Sequence, residues 1–144
     1  MFSEKFTISI LILIFNFIIS TDFKVNAMKR SKEITSQYFD FLEKHIQDVI
    51  SGEVSEFMEV NEIAGKLAVS HTHLTDTIKK ETGQHPCYFY DEKIIHEAQK
   101  MLENSDKSVA EIARTFTYDP SNFSKFFKKM TGMTPGKFKI SKEI

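Results

Sequence analysis

The feature that most constrains this chain is an internal repeat with a period of 49 residues. Identical positions in the two copies include Glu62-Ile63-Ala64 and Glu111-Ile112-Ala113, Lys79-Lys80 and Lys128-Lys129, Thr82-Gly83 and Thr131-Gly132, and Pro86 and Pro135. The register needs no insertion or deletion, and apolar positions repeat with it, since Leu74 corresponds to Phe123. A segment that recurs in this way is one supersecondary unit used twice, here of about two helices each.

The second copy contains the signals for both ends of one helix. Asp119 is a suitable N-cap, Pro120 suits the first helical position, and Gly132 can end the helix in a left-handed conformation. The apolar side chains recur at i, i+3, i+4 and i+7, a spacing that predicts one core-facing stripe of Phe123, Phe126, Phe127 and Met130. Taken alone, this pattern fits a solvated amphipathic helix better than a DNA-binding one, and the repeat is what favours DNA binding.

The first copy predicts a helix, a turn and a second helix. Residues 59–67 form the predicted first helix, Ala68-Val69 lies in the turn, and Ser70 is the predicted N-cap of a helix over residues 71–81. This arrangement crosses two helices and directs the second at DNA. The outward residues expected to contact DNA are His71, Thr72, Thr75, Asp76 and Lys79 in the first copy. In the second copy they are Ser121, Asn122, Ser124, Lys125 and Lys128.

These outward side chains have the chemistry that a major groove requires. Short polar groups reach base edges, and lysines reach phosphates. Asp76 is the exception, because phosphates repel a carboxylate unless it accepts a hydrogen bond from a cytosine amino group. A capping role or pairing with a lysine is the favoured interpretation of Asp76.

The remaining apolar periodicity predicts helices throughout. Helical spacing predicts a first helix over Ser36–Ile50, a long linker helix over about residues 87–104, and a final helix over Thr134–Ile140. The linker would extend about 24 to 27 Å at about 1.5 Å per residue. That length can hold two recognition helices about one DNA turn, roughly 34 Å, apart. With three prolines and five glycines among 144 residues, the chain is predicted to be all-α.

The charge of the chain is unevenly distributed. The formal net charge is −1, whereas nucleic-acid binders are more often basic. However, residues 108–139 carry a net charge of +4, and residues 60–86 carry none. If both copies contact DNA, the second is expected to contribute more of the salt-dependent affinity.

Residues 1–27 differ from the rest of the chain. Thr7–Ile19 is an apolar run followed by Val25-Asn26-Ala27. The run is short for a membrane span, which needs about 20 residues, and it suits a secretory signal with a small-residue cleavage site. Secretion would separate a DNA-binding unit from DNA, and Met28 precedes a basic and polar stretch. The favoured interpretation is therefore that translation starts at Met28, and a signal or membrane anchor is the alternative.

The sequence contains no recognisable catalytic set. An enzyme would need a nucleophile with its base, paired carboxylates or a metal cluster. His71 and His73 diverge on a helix and have no accompanying ligand cluster, so neither a metal nor another cofactor is expected. Cys87 is the only cysteine, which rules out an internal disulfide, and it is expected to be a small buried apolar group. The chain is therefore predicted not to be an enzyme.

These residues resemble the DNA-binding domain of the AraC/XylS family of bacterial transcription regulators. The resemblance covers about Asp40–Ile140 and is most specific from Ser108-Val109-Ala110-Glu111-Ile112-Ala113 through Asp119-Pro120-Ser121-Asn122-Phe123 to Gly132-Met133-Thr134-Pro135. It implies a homeodomain-like fold with a first unit over about residues 40–86 and a second over about residues 108–140. The hydrophobic segment 1–27 and a polar lead-in over residues 28–39 would lie outside this domain.

The resemblance also implies which positions read bases. By position these are Thr72, Thr75 and Asp76 in the first unit and Pro120, Ser121 and Lys125 in the second. Three residues depart from the family pattern. Asp76 stands where a basic residue is frequent, Pro120 has no side-chain donor, and Thr117 replaces a usual turn glycine.

The implied function is sequence-specific binding to double-stranded DNA near promoters, with two recognition helices in successive major-groove segments. Residues 28–60 are too few for a separate effector domain, so control by abundance or by a partner is expected, and RNA polymerase is a candidate partner. The expected location is the cytoplasm, in association with the nucleoid. The alternatives are a regulator tethered to the membrane by residues 1–27 and a helical protein-interaction module without DNA binding.

Overall fold

The computed structural model describes residues 2–143, and every regular element within them is an α-helix. In chain order the helices are α1 (Phe2–Ser51), α2 (Val60–Lys66), α3 (His71–Thr82), α4 (Pro86–Asn104), α5 (Val109–Thr115), α6 (Pro120–Thr131) and α7 (Pro135–Glu143). Helices α2 and α3 form one helix-turn-helix unit, α5 and α6 form another, and α4 links them. The predicted all-α fold with two such units is confirmed.

The helices begin and end at equivalent positions in the two units because the capping interactions occur at equivalent positions. The backbone N–H groups of Glu59 and Ser108 each donate to a carboxylate three residues later, over 2.7 Å in both cases. The hydroxyl of Ser70 accepts from the N–H of His73 at the start of α3. Gly83 and Gly132 end α3 and α6 at φ values of 79° and 83°, which confirms the predicted left-handed stop at Gly132.

The turn inside each unit contains a left-handed residue that is not glycine. Ala68 has a φ of 56° and Thr117 a φ of 60°, and the two positions are equivalent in the repeat. The left-handed region is sterically unfavourable for any residue with a Cβ, and it is most unfavourable for a β-branched residue. Replacement of the usual glycine by Thr117 therefore leaves the turn geometry intact but strained.

We expect Thr117→Gly to raise the free energy of unfolding by about 1 kcal/mol, because glycine adopts positive φ without the steric cost. The greater freedom of glycine in the unfolded chain offsets part of the gain. Urea unfolding followed by circular dichroism measures the difference. The matched control is Thr115→Gly within α5, which should lower stability by up to about 1 kcal/mol. A loss at both positions would contradict strain at Thr117.

The buried side chains of the two units form a single hydrophobic core. Helix α4 packs against α1, α3, α5, α6 and α7, and α1 packs against α3, α4 and α5. The largest fully buried aromatic side chains are Tyr38, Phe116, Phe123 and Phe127. Because residues of both units belong to this core, the units are held together by packing as well as by the linker helix.

Helix α1 is longer than predicted. A helix was expected over residues 36–50 after a polar lead-in, but the helix is continuous from Phe2 to Ser51. Ile34, within the expected lead-in, is only 1% exposed and belongs to the core. The hydroxyl of Tyr38 donates to the carbonyl oxygen of Pro86 at 2.8 Å, which ties α1 to the start of α4. Ile34 continues a four-residue spacing through Tyr38 and Leu42, but the polar residues around it make this apolar periodicity hard to recognise in the sequence.

The first part of α1 projects from the core, since every side chain from Ser3 to Arg30 is exposed. The large apolar side chains between Phe6 and Met28 are 42% to 74% exposed. By length and composition this helix could cross a membrane, a property that secretory signal sequences share. A translation start at Met28 stays a prediction.

Cys87 contradicts its expected burial, and His45 is buried without having been predicted to be. Cys87 is exposed, because it follows Pro86 at the start of α4 on the side away from the core. His45 is only 3% exposed, and its Nε2 accepts a hydrogen bond of 3.0 Å from the backbone N–H of Met58. Burial lowers the pKa of His45, in keeping with a neutral imidazole that accepts this bond. No periodic pattern indicates this contact, because Met58 lies in an irregular connection.

Candidate nucleic-acid interface

Helix α3 presents a row of exposed polar side chains on the face opposite the core. Its inward residues Leu74, Thr77 and Ile78 are buried, and they fix the rotation of the helix. Among the predicted DNA contacts on α3, the exposed side chains are those of His71, Thr72, Asp76 and Lys79. These four side chains are therefore accessible to a DNA major groove that approaches the outward face of α3.

Thr75 is placed differently from its neighbours on α3. The residue is half-buried, and its hydroxyl oxygen is enclosed by protein without a hydrogen-bond partner. Threonine in a helix has two accessible χ1 rotamers. A base contact by the Thr75 hydroxyl would therefore need rotation about χ1.

Asp76 has neither of the roles favoured for it from the sequence. The N-cap of α3 is Ser70, and within the described part of the chain no lysine, arginine or histidine pairs with Asp76. Its carboxylate is exposed beside Thr72 and Lys79 on the outward face. The side chain is therefore free to accept a hydrogen bond from outside the protein.

Helix α6 has a firmly capped beginning. The carboxylate of Asp119 accepts from the backbone N–H groups of Ser121 and Asn122 at 2.9 and 3.3 Å. Pro120 occupies the first helical position and is half-buried. The hydroxyl of Ser124 donates to the carbonyl oxygen of Pro120 at 3.0 Å. Ser124 is therefore half-buried and partly committed to the backbone, so its remaining capacity is as an acceptor.

The exposed polar side chains of α6 are the small Ser121 and Asn122 and, further along, lysines. Lys125, Lys128 and Lys129 are exposed, and none of them is within ion-pair distance of an acid in residues 2–143. Phe123 and Phe127 are fully buried, whereas Phe126 and Met130 are half-buried at the edge of the core. The predicted apolar stripe is confirmed, although only Phe123 and Phe127 within it are fully buried.

A family model described as a helix-turn-helix domain matches residues 63–140. The Msm operon regulatory protein of Streptococcus mutans is 30% identical over 124 residues, which cover 85% of this chain and 42% of that protein. The MmsAB operon regulatory protein of Pseudomonas aeruginosa is 30% identical over 83 residues, which cover 57% of this chain and 27% of that protein. A transcriptional regulator from Chromobacterium violaceum with an AraC-type DNA-binding domain superposes with a TM-score of 0.65 at 19% identity, covering 78% of this chain and 94% of that one.

The chain belongs to the AraC/XylS family of transcriptional regulators. A second solved structure with the fold of this AraC/XylS chain is the DNA-binding domain of AdpA in complex with a target DNA. It superposes with a TM-score of 0.55 at 23% identity and covers 67% of this chain and 91% of that one. The present chain spans less than half the length of the curated relatives it matches.

One cluster beside this AraC/XylS recognition helix was not anticipated from the sequence. Arg30 and Ser31 of α1 lie next to α3, where they share a groove with His73, Asp76 and Lys80. The sequence signal for this proximity is the basic stretch that follows Met28, within the predicted polar lead-in over residues 28–39. Since Ile34 is buried one turn later, the packing of α1 is what brings that stretch to α3.

Proposed function

We propose that this chain binds double-stranded DNA in a sequence-specific manner and thereby regulates transcription. Helix α3 and helix α6 would enter successive major-groove segments on one side of the duplex. The observation that carries the proposal is the pair of recognition helices, each with an exposed polar face and each packed against the same linker helix. No second function has comparable support from the geometry.

The linker helix has a suitable length for this purpose. Helix α4 contains 19 residues, which corresponds to about 28 Å at about 1.5 Å per residue. Successive major-groove segments on one face of DNA lie roughly 34 Å apart. The core shared by the two units favours a fixed distance between them, so one chain could occupy both segments as a dimer usually does.

The second unit is proposed to supply most of the affinity. On α6, Ser121, Asn122 and Lys125 would contact base edges, and Lys128 would contact phosphate. Pro120 and Ser124 would shape the surface near the bases, since both are half-buried. The unpaired lysines and the net charge of +4 over residues 108–139 support this division of roles.

The first unit is proposed to supply selectivity with little charge attraction. On α3, His71 and Thr72 would contact bases or phosphates, Thr75 would contribute after χ1 rotation, and Lys79 would contact phosphate. Asp76 would accept from a cytosine amino group and would be repelled at other base pairs. Such a contact restricts the set of acceptable sites instead of strengthening binding to all of them.

The proposed cellular setting is the cytoplasm, at promoters on the nucleoid. Contact with RNA polymerase would connect binding to transcription.

Selection of bound duplexes from a random library, followed by gel-shift titration of the full chain, tests the proposed function. We expect a selected site to bind at least about a thousandfold more tightly than random duplex, with an affinity that falls linearly with the logarithm of salt concentration. Footprinting should reveal two protected major-groove segments about one turn apart. Equal affinity for selected and random duplexes would refute sequence-specific binding.

A further inference from the structure

A groove between α1 and α3 adjoins the proposed DNA-contacting face of the first unit. It encloses about 370 Å³ and is lined by Ala27, Arg30 and Ser31 from α1 and by His73, Asp76, Thr77 and Lys80 from α3. Asp76 also belongs to the outward face of α3, so the groove and that face are continuous. A duplex seated on α3 would therefore bring a strand of its backbone to the edge of this groove.

The position of the groove wall is fixed by contacts on both of its helices. The hydroxyl of Ser31 lies 2.6 Å from a carboxylate oxygen of Glu81 and donates to it. On the next turn of α1, Ile34 is buried in the core that Leu74 and Ile78 of α3 also join. Arg30 is therefore carried on a packed segment of helix.

Arg30 is free to change partners. Its guanidinium pairs with Glu33 at 3.2 Å, but the two side chains are 54% and 52% exposed. An ion pair this exposed contributes little stability, whereas a guanidinium binds phosphate through two parallel hydrogen bonds. Exchange of Glu33 for a phosphate therefore costs little and gains a stronger contact.

The charge distribution supports a phosphate at this place. Residues 60–86 of the first unit have no net charge, against +2 over the equivalent residues 109–135 of the second unit. From the basic segment Lys29–Lys32, Arg30 lines the groove beside α3 and adds a positive charge there. Lys80, which is counted within residues 60–86, is an exposed cation on the other wall, so the lining has two cations, Arg30 and Lys80, and one carboxylate, Asp76. The positive charge that the first repeat lacks is thus supplied by a helix outside the repeat.

We propose that Arg30, with Lys80 across the groove, binds a phosphate of the DNA strand that flanks the major-groove segment entered by α3. Helix α1 then becomes a third DNA-contacting element, in addition to the two recognition helices. The contact positions the duplex and increases affinity without reading sequence. This inference rests on the proposed DNA binding, and its test separates the two.

The test is a salt titration of DNA binding by the full chain and its Arg30→Ala variant, with a selected and a random duplex. Loss of one phosphate contact should flatten the slope of log affinity against log salt by about 0.9. Affinity for the two duplexes should fall by the same factor, because a phosphate contact carries no sequence information. Arg30→Lys should retain most of the slope, since the charge remains.

Two further variants sharpen the result. Glu33→Gln should strengthen binding to both duplexes, because it removes the competing carboxylate from Arg30. Lys44→Ala is the matched control, since Lys44 is an exposed cation on the same helix that pairs with Asp48 away from the groove, and its slope should be unchanged. Circular dichroism verifies that each variant is folded.

The outcomes distinguish this inference from the proposed function. A wild-type chain that binds the selected site while Arg30→Ala leaves the slope unchanged refutes the phosphate contact alone. An equal effect of Lys44→Ala also refutes it, because the effect would then reflect net charge. A wild-type chain without sequence preference refutes the proposed function and this inference together.

Discussion

Phe127→Ala is expected to lower the free energy of unfolding by about 3 to 5 kcal/mol, the usual cost of removing a buried aromatic ring. Phe127 is fully buried, and its ring lies 5.9 Å from that of Phe123 and 5.5 Å from that of Phe138. A domain of this size has a total stability of about 5 to 15 kcal/mol. The variant should therefore be partly unfolded at moderate temperature, as measured by urea unfolding with circular dichroism.

The matched control for this substitution is the preceding residue. Phe126 is half-buried at the edge of the core and stacks on Tyr118 with ring centroids 5.4 Å apart. Phe126→Ala should therefore cost clearly less than Phe127→Ala. Because both units share one core, we expect a single cooperative transition in each variant. Two separate transitions, with the first unit unaffected by Phe127→Ala, would contradict a shared core.

Lys125→Ala is expected to weaken binding to a selected site by about 1 to 3 kcal/mol, a factor of about 5 to 150, if Lys125 contacts a base. The variant should also discriminate less at one base-pair position of the site. Lys125 is the sixth residue of α6, on the same half of the helix as Ser121 and Asn122. Gel-shift titration against the selected site and its single base-pair variants measures both effects.

Lys128→Ala is expected to behave differently, although the two lysines lie on one helix. A phosphate contact by Lys128 would make the variant weaker on all sequences and flatten the salt slope by about one. Lys100→Ala on α4, which removes an exposed cation paired with Glu97, is the control and should change neither quantity. If neither lysine variant of α6 alters DNA binding, the proposed orientation of α6 is wrong.

Most of the fold could be predicted because its signals are local. The two helix-turn-helix units follow from a repeat in which caps, glycine stops and apolar positions recur together. Ser70, Asp119, Gly83 and Gly132 each act through hydrogen bonds or dihedral angles within a few residues of themselves. Such signals can be read without knowledge of the tertiary structure.

The missed features all depend on contacts between distant segments. Ile34 is buried because α3 and α4 pack on α1, and His45 is buried because the connection before α2 folds over it. The proximity of Arg30 to α3 has the same origin. Cys87 was expected inside on the basis of residue type, but its position on α4 turns it outward. The assignment of individual side chains to bases or phosphates stays a prediction.

The continuity of the linker helix has a consequence for how binding sites for this chain can vary. Helix α4 runs from Pro86 to Asn104 with no glycine inside it and its one proline at the first position, so it has no obvious hinge. One base pair inserted between two half-sites rotates them by about 35° around the duplex axis. Base substitutions within a half-site would therefore lower the affinity in small steps. A change in the spacing between half-sites would instead prevent one of the two recognition helices from binding.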